Sequence, residues 1–141
     1  MKEFFDTSVL VAAFWKGHPN HAASLRLVSG ANRKKSSCGI HTLAEVYATM
    51  TALPVRDVIS PDQALLFVQE VRERCWVVAL DEPEYLETIA RSAERGFKSG
   101  RIYDALLVRC ARKANAQSIY TWNLRHFQAT DRELADRMRT P

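Results

Sequence analysis

The sequence predicts an α/β fold built on a parallel sheet, and three observations carry that prediction. Short apolar segments of strand character alternate with longer helical ones along the chain. Trp76 to Leu80 is an unbroken apolar, β-branched run closed by Asp81 and Pro83, which is how a strand covered on both faces reads. The 141 residues are 47% hydrophobic and 26% charged, enough to bury one core, so residues 1–141 are expected to form a single domain.

The elements follow in order. Glu3 to Asp6 reads as a short strand and Thr7 to about Phe14 as a helix rich in Val, Leu and Ala. His21 to Val28 is a second helix ending at Gly30. Ser36 to Ile40 is a strand after the basic cluster Arg33, Lys34, Lys35, and Thr42 to Leu53 is a helix stopped by Pro54. Ser60-Pro61-Asp62 supplies an N-cap and a first-turn proline for a helix running to about Arg74. After the strand at Trp76 to Leu80, Glu84 to Glu94 is helical, with Leu86, Ile89, Ala90 and Ala93 on one side. Gly96 to Arg101 is a polar loop. Ile102 to Ala114 is apolar almost all round, as a central buried helix is. Ser118 to Trp122 is the next strand, and Asp131 to Met138 a short terminal helix.

Composition excludes several classes. The apolar runs are a handful of residues long, too short to span a membrane. Asp6 interrupts any apolar signal region. Cys38, Cys75 and Cys110 are odd in number and far apart, with no CxxC pair, which argues against a disulfide framework or zinc knuckle and for a reducing cytoplasm. They sit in apolar runs and read as core. The formal charge is +4 and the pI near 9.1, a mild basic balance compatible with a polyanionic partner.

Four residues stand where chemistry collects in α/β sheets, beyond the carboxyl ends of the strands. Asp6 lies where a strand meets a helix; its simplest role is an N-cap. Glu45 closes the T-x-x-E spacing of a capping box with Thr42, yet Leu43, Ala44, Val46 and Tyr47 around it suggest burial, and a buried Glu needs a partner or a metal. Asp104 sits in the first turn of the apolar helix, favoured there by the helix dipole but short of a solvated exit. Asn123 follows the strand at Ser118 to Trp122, where Asn often serves as a turn or cap. Gathered at one sheet edge, three acids repel one another unless protonated, paired with bases or holding a divalent cation. An oxygen-only set of this kind suits Mg²⁺ or Mn²⁺, not zinc.

Four segments resemble one family. Phe5-Asp6-Thr7-Ser8-Val9-Leu10, Thr42-Leu43-Ala44-Glu45-Val46-Tyr47, Tyr103-Asp104-Ala105-Leu106-Leu107 and Tyr120-Thr121-Trp122-Asn123-Leu124-Arg125-His126-Phe127 occur in the order and spacing of PIN-domain proteins of the VapC toxin type. The resemblance covers essentially the whole chain. It implies an α/β/α sandwich with a central parallel sheet of four to five strands. It also implies an Mg²⁺- or Mn²⁺-dependent endoribonuclease in a prokaryotic cytoplasm, acting as the toxin of a toxin–antitoxin pair. Asp6, Glu45 and Asp104 match the family's metal-binding acids. Asn123 falls where many members have Asp; an amide is a weaker Mg²⁺ ligand and leaves the cluster one charge less negative. Ser8 and Thr121 match small hydroxyl positions beside the metal. The implied chemistry is hydrolysis of a phosphodiester by metal-activated water, with no protein nucleophile.

Lys98 and Arg101 before the Asp104 helix, and Arg125 after Asn123, flank the matched positions as phosphate-steering groups should. His126 reads as structural. A transfer RNA or a ribosomal RNA loop is the implied substrate, and no base-reading motif chooses between them. A homodimer and a VapB-type antitoxin are the implied partners. Helices Thr42 to Leu53 and Ser60 to Arg74 could clamp the antitoxin segment, with Phe14, Trp15 and Phe67 on its path or simply in the core. Asn123 keeps a second reading open, a catalytically weak PIN-like module that binds RNA or protein. A haloacid-dehalogenase-type phosphatase is disfavoured because Ser8 stands where its second Asp is needed.

Overall fold

The computed structural model describes residues 1–56 and 58–141. Strands β1 (Glu3–Phe5), β2 (Ser36–Gly39), β3 (Trp76–Val78), β4 (Ser118–Tyr120) and β5 (Met138–Arg139) form one sheet in the order β3-β2-β1-β4-β5, every pair parallel. Around it lie α1 (Thr7–Phe14), α2 (His21–Ser29), α3 (Ile40–Thr51), α4 (Pro61–Arg74), α5 (Glu82–Glu94), α6 (Arg101–Lys113) and α7 (Leu124–Thr130). The chain builds outward from β1 to β3 on one side and then returns to add β4 and β5 on the other. The order therefore reverses between β1 and β4, where such sheets open a crevice at their carboxyl edge.

The period-two alternation of β1 divides the core between the two faces of the sheet. Phe5 packs with Val9, Leu10, Cys38, Val46 and Met50 on one side. Phe4 packs with Leu107, Val108, Ile119 and Phe127 on the other. Both rings are fully buried, each stabilising the fold by about 1.5–3 kcal/mol of apolar burial. β2 is all small and all buried. The Ser37 hydroxyl donates to the Glu3 carbonyl (2.8 Å), and a Cβ at Gly39 would stand 2.6 Å from Leu107 Cδ2. All three cysteines are free and buried, as core residues. Helix α4 begins at the expected Ser60 cap, closed reciprocally with Gln63; Asp81 and Glu84 make the same capping box on α5. Gly96, at φ +72°, ends α5 with its own N–H and that of Phe97 turned back to Ala93 and Ser92, a conformation only glycine adopts cheaply.

Several expectations are overturned. β3 stops at Val78, short of Leu80, and is an edge strand with Trp76 half exposed; Val77 packs on the Phe5 side of the core and Val78 on the Phe4 side, so both faces are covered as expected. Helix α3 begins at Ile40 behind Gly39, so Thr42 and Glu45 lie inside it and form no capping box. Ala44 and Tyr47 are exposed, and Val46 is the neighbour that is fully buried. Arg101 is the first residue of α6, not part of the loop. On α5 the polarity is inverted. Thr88 and Ser92 face inward, their hydroxyls donating to the carbonyls four residues back, while Tyr85, Leu86 and Ile89 are exposed. The terminal helix at Asp131 to Met138 is absent. That stretch holds one 3₁₀ turn (Ala135–Arg137) and then β5, and the last helix, α7, lies earlier. Among the described residues no helix is long and apolar enough to cross a membrane.

Candidate active site

Asp6 closes β1 at the point where the strand order reverses, next to the end of β4. It is the N-cap residue of α1, yet its carboxylate closes no cap bond. Instead Oδ2 accepts from Ser8 Oγ (2.7 Å) and Thr121 Oγ1 (2.9 Å). Each hydroxyl is itself fixed. Ser8 Oγ accepts from the Trp122 N–H (3.0 Å) and Thr121 Oγ1 from the Asn123 N–H (2.9 Å). Two backbone donors from the β4–α7 turn thus aim two hydroxyl protons at one carboxylate oxygen. Oδ1 is left without a side-chain partner among the described residues. Burial raises the Asp6 pKa above the ordinary range, and the two hydroxyls draw it partly back.

Glu45, one turn into α3, is half-buried. The Thr7 hydroxyl stands 3.0 Å from its Oε1 and 3.1 Å from Thr42 Oγ1; with a single proton, Thr7 donates to the carboxylate and takes a bond from Thr42. Burial, and then the charges of Asp6 and Asp104, push the Glu45 pKa up to about 7 against the pull of Thr7. Asp104, in the first turn of α6, has its pKa raised by burial and by Asp6, against an opposing pull from the His126 and Arg101 side chains. The three acids come from β1, α3 and α6 and share one field.

Asn123 stands exposed at the start of α7, its side chain capping nothing. Arg101 lies over the Phe97 ring (3.8 Å) with Arg95 over the same ring (4.4 Å), so its guanidinium is held beside Asp104. Lys98 is exposed on the α5–α6 loop. Arg125 is exposed on α7 without a contact to the acids; its neighbour His126 is the α7 side chain that acts on Asp104. Sequence reasoning missed Thr7, which holds Glu45, and His41, whose Nε2 lies 3.9 Å from Glu45 Oε1; Thr42, read there as a cap, bonds to Thr7 instead. The i,i+4 spacing of His41 and Glu45 on α3 was the available signal.

The donor set is all oxygen, and none of the ion pairs among the described residues involves Asp6 or Asp104. Unneutralised, mutually repelling carboxyls of this type fit a hard divalent cation. They are not drawn into a finished shell: among the described residues no three His, Cys, Asp or Glu side chains stand close enough together to hold a metal ion.

The PIN domain family model matches residues 4–133. Ribonuclease VapC40 of Mycobacterium tuberculosis is 32% identical over 131 residues, 90% of each chain. Among solved structures, the M. tuberculosis toxin VapC20, described as cleaving the sarcin–ricin loop, superimposes with a TM-score of 0.73 at 17% identity, over 91% of this chain and 95% of its own. VapBC-1 of nontypeable Haemophilus influenzae gives 0.63 at 19%, over 99% and 98%. VapBC2 of Rickettsia felis, solved on a promoter DNA fragment, gives 0.61 at 19%, over 92% of each. These structural likenesses establish the shared fold.

Proposed function

The chain belongs to the PIN-domain family, among the VapC ribonucleases, and from that premise we propose that residues 1–141 are one catalytic domain that cleaves RNA with Mg²⁺ or Mn²⁺ as the toxin of a toxin–antitoxin pair. The observation that carries the reading is the electrostatic coupling of Asp6 to both Glu45 and Asp104 at the strand-order reversal, with no ion pair to Asp6 or Asp104 among the described residues.

Asp6, Glu45 and Asp104 would hold the cation, which when bound supplies an activated water and polarises the phosphate. The chain's own residues do the rest. Ser8 and Thr121 fix the plane of the Asp6 carboxylate through Oδ2. Thr7 turns Glu45 toward Asp6. Arg101, tied down over Phe97, offers a cation to an RNA phosphate at the rim, and Lys98 and Arg125 add steering charge. Removing the three acids from the formal count leaves +7 on the remainder, so a cation-filled cleft presents RNA with a strongly basic protein.

A VapB-type antitoxin is the proposed restraining partner. An apolar groove of about 370 Å³ between α1, α2 and α4, walled by Phe14, Leu25, Leu66 and Phe67, suits the apolar face of its segment. Trp15 packs against the core beneath. The exposed Tyr85, Leu86 and Ile89 of α5 suit a homodimer contact. A prokaryotic cytoplasm and a transfer or ribosomal RNA substrate complete the reading.

The test is Asp104→Asn against wild type on total cellular RNA with Mg²⁺, with cleaved ends sequenced. Loss of every wild-type cut in a folded variant is the expected result; undiminished cutting sinks the assignment. The lack of a gathered shell favours one second reading, an RNA-binding module without turnover. Calorimetric titration with Mn²⁺ separates the two, since that module would take up none.

A further inference from the structure

We propose that the stacked rings of His41 and Tyr103 form a base-binding platform at the mouth of the acidic cleft, holding a nucleobase next to the scissile phosphate. The rings belong to α3 and α6, the helices that carry Glu45 and Asp104. Their centroids are 4.8 Å apart and their planes 9° from parallel. His41 also reaches toward Glu45, and Tyr103 immediately precedes Asp104 in the chain, so the stack borders two of the three acids.

The contact leaves both rings partly open to solvent. Tyr103 is 45% exposed and the His41 side chain 33%, so a further ring has room to reach them. Phe97, the aromatic of the neighbouring basic loop, instead has guanidinium groups of Arg95 and Arg101 over its ring.

The chemistry of the cleft gives such a platform a task. Three acids repel phosphates, and the basic groups at the rim grip any part of a backbone equally well. Neither decides which phosphodiester stops over the acids. A base laid on a parallel pair of rings does decide it, because one nucleotide step separates the base from its own phosphate. Every base has a π-face, so the platform fixes position and leaves sequence largely unread.

This inference rests on the nuclease reading only for the nature of the ligand, RNA. The probe is a short single-stranded RNA oligonucleotide carrying 2-aminopurine at successive positions. It is mixed in Mg²⁺ with Asp104→Asn protein, so that it stays intact. Binding is followed by anisotropy and stacking by quenching of the 2-aminopurine. Quenching at a restricted position is expected. Adding Tyr103→Leu should abolish it and weaken binding roughly 5- to 150-fold, the range of one base–aromatic contact. Tyr103→Phe should restore both. An abasic nucleotide at that position should weaken binding to the Tyr103-containing protein while leaving the Leu variant indifferent, a coupling that a purely structural ring would not show. Equal quenching in the Leu variant, no quenching in bound RNA, or no binding overturns the platform. Wild-type protein that stacks the base but cuts no RNA overturns the nuclease reading and leaves the platform standing.

Discussion

Replacing Glu45 by Gln should make the metal-free protein more stable at alkaline pH while ending cleavage. An isolated Glu titrates near 4.5, and in the fold this one titrates near 7. Between those values the folded state holds a proton that the unfolded state has released, so raising the pH through this window lowers stability. At 1.36 kcal/mol per pH unit the full difference is about 3.4 kcal/mol. The side chain is 31% exposed, so solvent screening brings the net effect to about 2 kcal/mol. Gln keeps an oxygen for the Thr7 hydroxyl and cannot ionise. Urea unfolding in EDTA at pH 4.5 and pH 8 measures the effect. The variant should match wild type or fall slightly below it at pH 4.5 and exceed it by about 2 kcal/mol at pH 8. Asp6 and Asp104 are shifted the same way, so a reduced slope will persist. A variant equally destabilised at both pH values would refute the raised pKa of Glu45.

Thr121→Val removes a donor to Asp6 and leaves the Asn123 N–H without its acceptor; about 2–3 kcal/mol of stability should go, read by thermal melting, with kcat reduced more than KM. Unchanged melting would show that the hydroxyl is dispensable. Gly39→Ala should cost about 1–3 kcal/mol, because Leu107, fully buried, cannot withdraw from the new methyl; a wild-type urea midpoint would contradict the packing described. Asn123→Asp should stabilise α7 through its dipole by about 0.3–1 kcal/mol and tighten Mn²⁺ binding in calorimetry. Weaker binding would show that the amide itself is required.

The parallel sheet was legible because short strand-like segments alternate with longer periodic helical ones. The edge position of β3 was not, since Val77 and Val78 are covered on the two faces and face coverage says nothing of how many strands pair alongside. Helix α5 misled for a similar reason: its apolar side faces outward, and Thr88 and Ser92 can face inward because each hydroxyl finds a carbonyl on its own helix. The last strand escaped notice because two residues carry no period. At the candidate site, residue type and position at strand ends singled out Asp6, Glu45, Asp104 and Asn123. The hydroxyls of Ser8 and Thr121 were legible only through family likeness. The bond of Thr7 to Glu45 and Thr42 and the stacking of His41 on Tyr103 were not legible, because they bridge α1, α3 and α6, and no local pattern encodes a contact between helices 35 or more positions apart in the chain.

The bond from Thr121 to Asp6 spans 115 positions, and β1, the first strand made, sits in the middle of the sheet awaiting β4. Order of synthesis therefore differs from order of assembly. Until β4 is made, Asp6 Oδ2 has Ser8 but lacks Thr121, and the Phe4 face of β1 lacks Ile119 and Phe127 to cover it. A nascent chain released before β4 carries an exposed central strand and no completed cleft. For an enzyme that cuts RNA, this delay means that the Asp6 side of the cleft is finished only once β4 has joined the sheet.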